Sequence, residues 1–197
     1  MVYTMTEIQM LLIFILIAVS FLEIYLLVRG AEYLYSAFIL RQPPFVASNR
    51  RERRAIVRAI RDYCPDVATV CDIGSGDGGL SRYVARRCGC RVIGLENMPV
   101  AAMVSRIGDL LCPRVRTIHC DAFEYLANTD MVFDVAIAYL GPAFVSQLLQ
   151  YKDKIRMLIV LDFEIQGTVA TDVIHIGGRA MRYNGVLYPR KLFIYKF

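Results

Sequence analysis

The chain opens with one long run of hydrophobic residues. Positions 8–28 are almost continuously apolar, with Ser20 and Glu23 as interruptions. A run of roughly 20 such residues is the length that an α-helix needs to cross a bilayer. Positions 31–40 continue the helical pattern and add aromatic residues that suit the membrane interface. We therefore predict that residues 1–40 form a transmembrane helix with an interfacial extension.

A second helical pattern follows a break at two consecutive prolines. Ile56, Ile60 and Tyr63 fall on one face of a helix that Ser48 is placed to cap. The other face is basic and carries Arg50, Arg54, Arg58 and Arg61. Anionic lipid headgroups, an acidic partner and plain solvent are all compatible with such a stripe. The pattern predicts a linker and a basic amphipathic helix over residues 41–66.

The rest of the chain alternates between two hydrophobic periods. Runs of strand length occur at residues 68–73, 91–96, 114–120, 133–139 and 155–162. Helical spacing occupies residues 79–88, 99–111, 122–127 and 142–150. Such alternation is typical of a parallel, doubly wound sheet. Two further strands, 173–176 and 191–197, flank an Asn184-Gly185 turn signal. We therefore predict one α/β domain over residues 67–197.

The distribution of charge orients the chain in the membrane. The sequence has a net charge of +5. Glu7 is the charged residue before the apolar run, whereas arginines follow that run from Arg29 onward. Under the positive-inside rule, this pattern places the C-terminal domain on the cytoplasmic side of a single-pass protein. A cleaved signal peptide is the alternative. Six cysteines without a paired Cys-x-x-Cys pattern fit a reducing compartment and predict buried free thiols.

The most informative motif joins the first predicted strand of the domain to the helix that follows it. Gly74, Gly76 and Gly79 satisfy the GxGxxG pattern, and Glu96 ends the next strand about 20 residues later. An open α/β sheet binds nucleotide-like ligands at this place, because glycines let the backbone approach a ligand closely. Taken alone, the motif is compatible with a nicotinamide dinucleotide.

Two carboxylates extend the motif and favour a different cofactor. Asp72 precedes the glycines and gives the form D-x-G-x-G-x-G, and Asp121 follows the third predicted strand. Carboxylates accept hydrogen bonds from hydroxyl and amino groups, and they help to hold a sulfonium cation. With these residues, the region from residue 45 onward resembles the class I S-adenosylmethionine-dependent methyltransferases.

That resemblance implies a Rossmann-like seven-stranded sheet with an antiparallel C-terminal strand, and S-adenosyl-L-methionine as cofactor. It also implies a set of cofactor-binding residues. These are Asp72, Gly74, Ser75, Gly76 and Asp77 near the methionine and ribose, Glu96 with Asn97 at the ribose, and Asp121 with Ala122 at the adenine.

A narrower resemblance concerns the acceptor of the methyl group. One transmembrane helix, a Pro-Phe-Val-x-x-Ser linker and the strings Asp-Ile-Gly-Ser-Gly-Asp-Gly and Gly-Leu-Glu-Asn-Met-Pro occur together. This combination resembles the membrane-anchored protein lysine methyltransferases that modify the ATP synthase c-subunit and the adenine nucleotide translocase. The resemblance implies a lysine of a membrane protein as acceptor. It also implies that Phe45 and Ser48 close over the cofactor.

Several candidate residues also have structural interpretations. Asp77 and Asp121 suit helix caps, and Gly78 with Gly79 permits close packing of a helix on a strand. Tyr139 lies at the tip of the fourth predicted strand, where the resemblance implies that it faces the methyl group. It is either a catalytic residue that deprotonates or orients an amine, or a packing residue.

The function predicted from these features is methylation of lysine in a membrane protein. The expected partners are the bilayer and that protein, with no metal. No nucleic acid is expected either, since Tyr139 does not stand in an Asn/Asp-Pro-Pro-Tyr sequence. A methyltransferase for a lipid or small molecule, an NAD-binding oxidoreductase and a non-enzymatic membrane module remain as alternatives.

Overall fold

The structure is a computed structural model that describes residues 7–38, 47–178, 180–183 and 185–197. The chain divides into two compact units, Met1–Pro44 and Phe45–Phe197. The first unit contains helix α1 (Glu7–Phe38). Its segment Glu7–Ala31 is long and apolar enough to cross a membrane, and the protein buries none of that segment. A helix that is hydrophobic all round needs an apolar environment, and a bilayer supplies one.

The second unit contains an α/β sheet with helices packed on its faces. Its helices are α2 (Arg50–Tyr63), α3 (Gly79–Cys88), α4 (Pro99–Asp109), α5 (Ala122–Asn128) and α6 (Pro142–Val145), and a 3₁₀ helix follows at Ser146–Tyr151. Its strands are β1 (Thr69–Ile73), β2 (Arg91–Glu96), β3 (Val115–His119), β4 (Val135–Ala138), β5 (Met157–Leu161), β6 (Asp172–His175), β7 (Met181–Tyr183), β8 (Val186–Tyr188) and β9 (Lys191–Lys196).

Seven strands form the main sheet in the order β3-β2-β1-β4-β5-β9-β6. The first five are parallel, and β9 runs antiparallel to both of its neighbours. The predicted α/β fold, a mostly parallel seven-stranded sheet with an antiparallel C-terminal strand, is therefore confirmed. The buried strands β4 and β5 are continuous apolar runs, as expected when helices cover both faces of a sheet.

The core lies on both sides of this sheet. On one side, α2 and α3 bury Ile56, Ile60 and Val84 against β1, β4 and β5. On the other side, Leu126 of α5 and Leu148 of the 3₁₀ helix pack with Phe133 and the opposite faces of the same strands. The predicted amphipathic helix thus belongs to the α/β unit, because its apolar face is part of the core.

Two details differ from the sequence-based expectations. Asn49, not Ser48, caps α2: the Asn49 side chain accepts from the backbone N–H groups of Arg51 and Glu52, and Glu52 reciprocates in a capping box. The two strands predicted around the Asn184-Gly185 signal pair with each other as β6 and β9, but a separate hairpin of β7 and β8 lies between them in the sequence. Asn184 itself is outside the described residues.

Candidate active site

The glycine loop after β1 is attached to the end of β2. The backbone N–H groups of Gly74 and Ser75 both donate to the carbonyl of Leu95, at 2.9 and 3.0 Å. Gly74, Gly76 and Gly78 have φ angles of +73°, +57° and +72°, a conformation in which a side chain is strained. The sequence therefore needs glycine at these three positions to turn the chain from β1 into α3.

Ser75 sits beneath this loop and packs on β2. A Cβ atom at Gly94 would lie 2.7 Å from the Ser75 hydroxyl oxygen, so the glycine in β2 makes room for the loop. The Ser75 hydroxyl is buried and has no hydrogen-bond partner within the described ranges. Such an orphaned hydroxyl is costly unless a ligand or a water satisfies it.

Glu96 links the tip of β2 to the glycine loop. Its side chain is 6% exposed, and its two carboxylate oxygens accept from the backbone N–H groups of Gly76, at 2.6 Å, and Met98, at 2.8 Å. A carboxylate offers about four lone-pair sites, which is compatible with further hydroxyl donors from a ligand. The structure thus brings together the two parts of the motif that are 20 residues apart in sequence.

Asp72 is buried directly below the loop. The Ser81 hydroxyl donates to its carboxylate at 2.5 Å. The pKa of Asp72 is raised to about 6, mainly because the group is buried and also because Glu96 lies nearby, whereas the Ser81 hydrogen bond acts in the opposite direction. A carboxylate held in this way is sensitive to any positive charge that arrives nearby.

The remaining predicted cofactor residues occupy neighbouring strand tips. Asp77 accepts from the N–H of Gly79 at 2.9 Å and so helps to start α3, although Gly78 is the residue at the cap position. Asp121 caps α5 through the N–H groups of Phe123 and Glu124, at 2.8 and 3.0 Å. Ala122 is half-buried at the start of that helix. The backbone carbonyl of Asn97 accepts from the His119 ring at 3.1 Å.

The linker residues are only partly described. Phe45 lies outside the described residues. The Ser48 hydroxyl accepts from Nε of Arg53 at 3.0 Å. The Arg53 guanidinium lies 2.8 Å from the position of a Cβ atom at Gly79. Ser48 is therefore connected to the glycine loop through a single side chain.

A buried charged cluster lies next to these strand tips, and the sequence interpretation did not find it. Arg190 forms ion pairs with Glu52 and with Asp162, the latter at 3.0 Å, and its guanidinium lies 5.5 Å from the ring centre of Tyr139. Asp162 has a φ angle of +64°, unusual for a residue other than glycine. The Asn-x-x-Glu capping pattern was a usable signal for Glu52, whereas no local pattern marks Arg190.

Tyr139 is the link between this cluster and the glycine loop. Its neighbour Leu140 lies 3.0 Å from the position of a Cβ atom at Gly74. Burial raises the pKa of Tyr139, and the charge of Asp162 adds to this effect. Its hydroxyl donates to the sulfur of Met181 at 3.2 Å. At neutral pH the phenol therefore keeps its proton and acts as a hydrogen-bond donor rather than as a base.

The described ranges contain no group of three or more His, Cys, Asp and Glu side chains that could hold a metal ion. The arrangement is instead a row of polar side chains along one edge of the sheet. Two carboxylates and one phenol, Glu96, Asp121 and Tyr139, lie at or just after the carboxyl ends of β2, β3 and β4, beside the loop that follows β1. An open α/β sheet binds ligands at this edge.

No known family profile matches the chain, and no curated protein matches it either. Solved structures do resemble it. An RNA methyltransferase from Salinibacter ruber in complex with S-adenosyl-L-homocysteine aligns with 77% of this chain and 93% of its own, at 18% identity and a TM-score of 0.58. M. capricolum TrmK in complex with S-adenosyl-homocysteine aligns with 72% and 67%, at 11% identity and a TM-score of 0.55.

A third similar structure is WbdD, with 17% identity and a TM-score of 0.58 over 75% of this chain and 40% of WbdD. Identities this low establish the fold and nothing finer. The second unit of the chain therefore has the Rossmann-like fold of the methyltransferases among these structures.

Proposed function

We propose that the chain is a membrane-anchored S-adenosylmethionine-dependent methyltransferase that acts on lysine side chains of a membrane protein. The observation that carries the proposal is the buried Glu96 carboxylate, hydrogen-bonded to the glycine loop at Gly76. This contact puts a fixed acceptor for ribose hydroxyls beside a loop that a ligand can approach closely.

The topology favours S-adenosylmethionine over a nicotinamide dinucleotide. The usual dinucleotide-binding sheet has the strand order 3-2-1-4-5-6. Here β9 is inserted antiparallel between β5 and β6. Two similar structures hold S-adenosylhomocysteine.

The residues present also fit the chemistry of this cofactor. Glu96 would accept hydrogen bonds from the ribose hydroxyls, and Asp121 would accept one from the adenine amino group. The Ser75 hydroxyl, which has no partner within the described residues, is available for a hydrogen bond to the cofactor. When bound, S-adenosylmethionine supplies a methyl group on a positively charged sulfur. Asp72 and Glu96 bring negative charge to that region.

The cluster around Arg190 supports a cationic acceptor. Two carboxylates, Glu52 and Asp162, share one guanidinium, so the cluster carries a formal charge of −1 when both are ionised. That excess favours the approach of an ammonium group. Tyr139 lies between the cluster and the glycine loop, where its neutral phenol is placed to orient the amine.

The anchor supports an acceptor in the membrane. A chain that carries its own apolar helix is confined with membrane proteins to one surface, and confinement raises the effective concentration of the acceptor. The positive-inside pattern favours a catalytic domain in the cytoplasm.

Transfer of a labelled methyl group into isolated membranes tests the proposal. Purified protein and S-adenosylmethionine labelled in its methyl group are incubated with membranes, which are then separated into protein, lipid and RNA. We expect label in protein, recovered as methyllysine after hydrolysis, and none with the Glu96→Ala variant. Label confined to lipid or to RNA would overturn the lysine assignment, and label in no fraction would overturn the activity.

A further inference from the structure

The outer face of α4 and the turn directly after it carry a row of exposed hydrophobic side chains. Met103, Ile107, Leu110 and Leu111 are 54%, 61%, 81% and 79% exposed. The first three follow one another at helical spacing, and Leu111 comes directly after them. The opposite face of α4 packs on the sheet, where Ala101, Ala102 and Ser105 are buried. We call these four exposed side chains the α4 face.

The exposed charged side chains of residues 80–119, the segment that contains α4, are all arginines. Six exposed arginines lie on α3, on α4 and along the nearby strands: Arg86, Arg87, Arg91, Arg106, Arg114 and Arg116. Arg86 reaches the backbone carbonyl of Leu111 at 3.4 Å, which places a guanidinium directly beside the face.

Acidic residues do not offset these arginines. Between residues 80 and 119 the sequence has two carboxylates, Glu96 and Asp109. Glu96 is buried in the candidate active site. The Asp109 side chain is 11% exposed, lies 3.5 Å from Arg82 and accepts from the N–H of Thr117. This segment therefore exposes an apolar centre together with basic side chains and no exposed carboxylate.

We propose that the α4 face docks on an anionic bilayer surface. A helix with exposed apolar residues and arginines beside them suits the boundary between headgroups and acyl chains, where arginines meet lipid phosphates. A second copy of the chain fits less well, because two such surfaces would bring like charges together. The inference does not depend on the proposed methyltransferase activity.

Docking in this way would orient the α/β unit. The helix α4 starts at Pro99, three residues after Glu96 at the carboxyl end of β2. It then returns the chain to the amino end of the sheet, where β3 begins. When the α4 face lies on the bilayer, the strands run along the membrane surface. The edge that carries Glu96 and Tyr139 then does not point away from the bilayer.

Single tryptophan residues test the docking directly, because the chain has no tryptophan of its own. We place one at Ile107→Trp or at Leu111→Trp, and a control at Val169→Trp. Val169 is 92% exposed and precedes β6, which lies at the sheet edge opposite β3. The full chain is reconstituted in vesicles of phosphatidylcholine and phosphatidylglycerol, with or without brominated acyl chains.

We expect brominated lipid to quench both α4 reporters by about twofold or more, and the Val169→Trp reporter far less. Arg114→Glu in the Leu111→Trp chain should reduce the quenching in phosphatidylglycerol vesicles, whereas the control Lys152→Glu should leave it unchanged. Each variant is first checked for a wild-type unfolding temperature. Two reporter positions are used so that a local structural change at one of them does not decide the result.

Equal quenching at Ile107→Trp, Leu111→Trp and Val169→Trp would overturn the proposal. A second result would also overturn it: tryptophans at Ile107 and Leu111 that are shielded from water but not quenched by brominated lipid, in a chain that cross-links to a second copy through α4.

Discussion

At the scale of single residues, the candidate site depends on buried carboxylates, and burial makes their ionised form unfavourable in free energy. Asp72 is 3% exposed and has one hydroxyl donor, Ser81, so burial outweighs that hydrogen bond and raises its pKa. Glu96 is equally buried but accepts two backbone N–H groups. The two acids therefore differ. The ionisation of Asp72 depends on nearby charges, whereas Glu96 holds the glycine loop in place by hydrogen bonds.

Asp72 should make stability depend on pH. The folded protein holds the Asp72 proton up to a pKa of about 6, against 3.8 ordinarily, so this contribution is present below about pH 4 and is lost as pH rises through 6. The loss is about 3 kcal/mol. We expect Asp72→Asn to gain stability relative to wild type between pH 4 and 7, measured by chemical unfolding.

The exposed carboxylate of Asp153 provides a matched control for this change. Asp153→Asn is measured over the same interval as a control for the loss of one negative charge. A difference for Asp72→Asn that changes with pH no more than the difference for Asp153→Asn would contradict the buried charge.

Tyr139 should orient the acceptor without contributing to the cofactor site. We expect Tyr139→Phe to lower kcat on the order of tenfold or more and to leave cofactor affinity unchanged. The control is Tyr83→Phe on α3, which removes the phenol hydroxyl of a ring that packs on the core and under the Arg87 guanidinium. Unchanged kcat in Tyr139→Phe would make Tyr139 a packing residue.

At the residue scale, the sequence motif predicted that Gly76 and Glu96 lie close together, and the structure joins them by a hydrogen bond. Their role in binding a cofactor stays a prediction. The cluster of Glu52, Asp162 and Arg190 was missed, because its members are 138 and 28 residues apart and meet only when α2, β5 and β9 pack together.

At the scale of elements, the position of the glycine loop depends on the absence of a side chain at Gly94 in β2. A side chain at Gly94 would press on Ser75, so this glycine is set by packing rather than by backbone conformation. The parallel strands could be predicted from their hydrophobic period. The β7–β8 hairpin could not, since Val186 and Leu187 remain exposed and give no buried pattern to detect.

Gly94→Ala should displace the glycine loop. The new methyl group would lie 2.7 Å from the Ser75 hydroxyl oxygen and 2.9 Å from its Cβ, and such overpacking costs about 1–3 kcal/mol. We expect a lower unfolding temperature and weaker cofactor binding. Ser75→Gly in the same chain removes both contacting atoms and should restore the unfolding temperature. Wild-type affinity in Gly94→Ala would show that the loop does not need this space.

At the scale of the whole molecule, the chain combines a helix long and apolar enough to cross a membrane with a unit that has the Rossmann-like fold of methyltransferases. A long apolar run and a strand-helix alternation are strong periodic signals, so the sequence predicts both the apolar helix and the α/β fold. The sequence places a boundary at residue 66, whereas helix α2 packs into the α/β unit. No comparable signal identifies the acceptor, because the charged residues near Tyr139 are distant in sequence.

The account predicts that the assembled site recognises one cofactor class. Calorimetric titration of the purified full chain with S-adenosylmethionine and, separately, with NAD tests this claim most directly. We predict saturable one-to-one binding of S-adenosylmethionine that weakens by about tenfold or more in Glu96→Ala, since that variant loses hydrogen bonds to a charged group. The exposed control Asp153→Ala should bind like wild type. Binding of NAD without binding of S-adenosylmethionine would contradict the account.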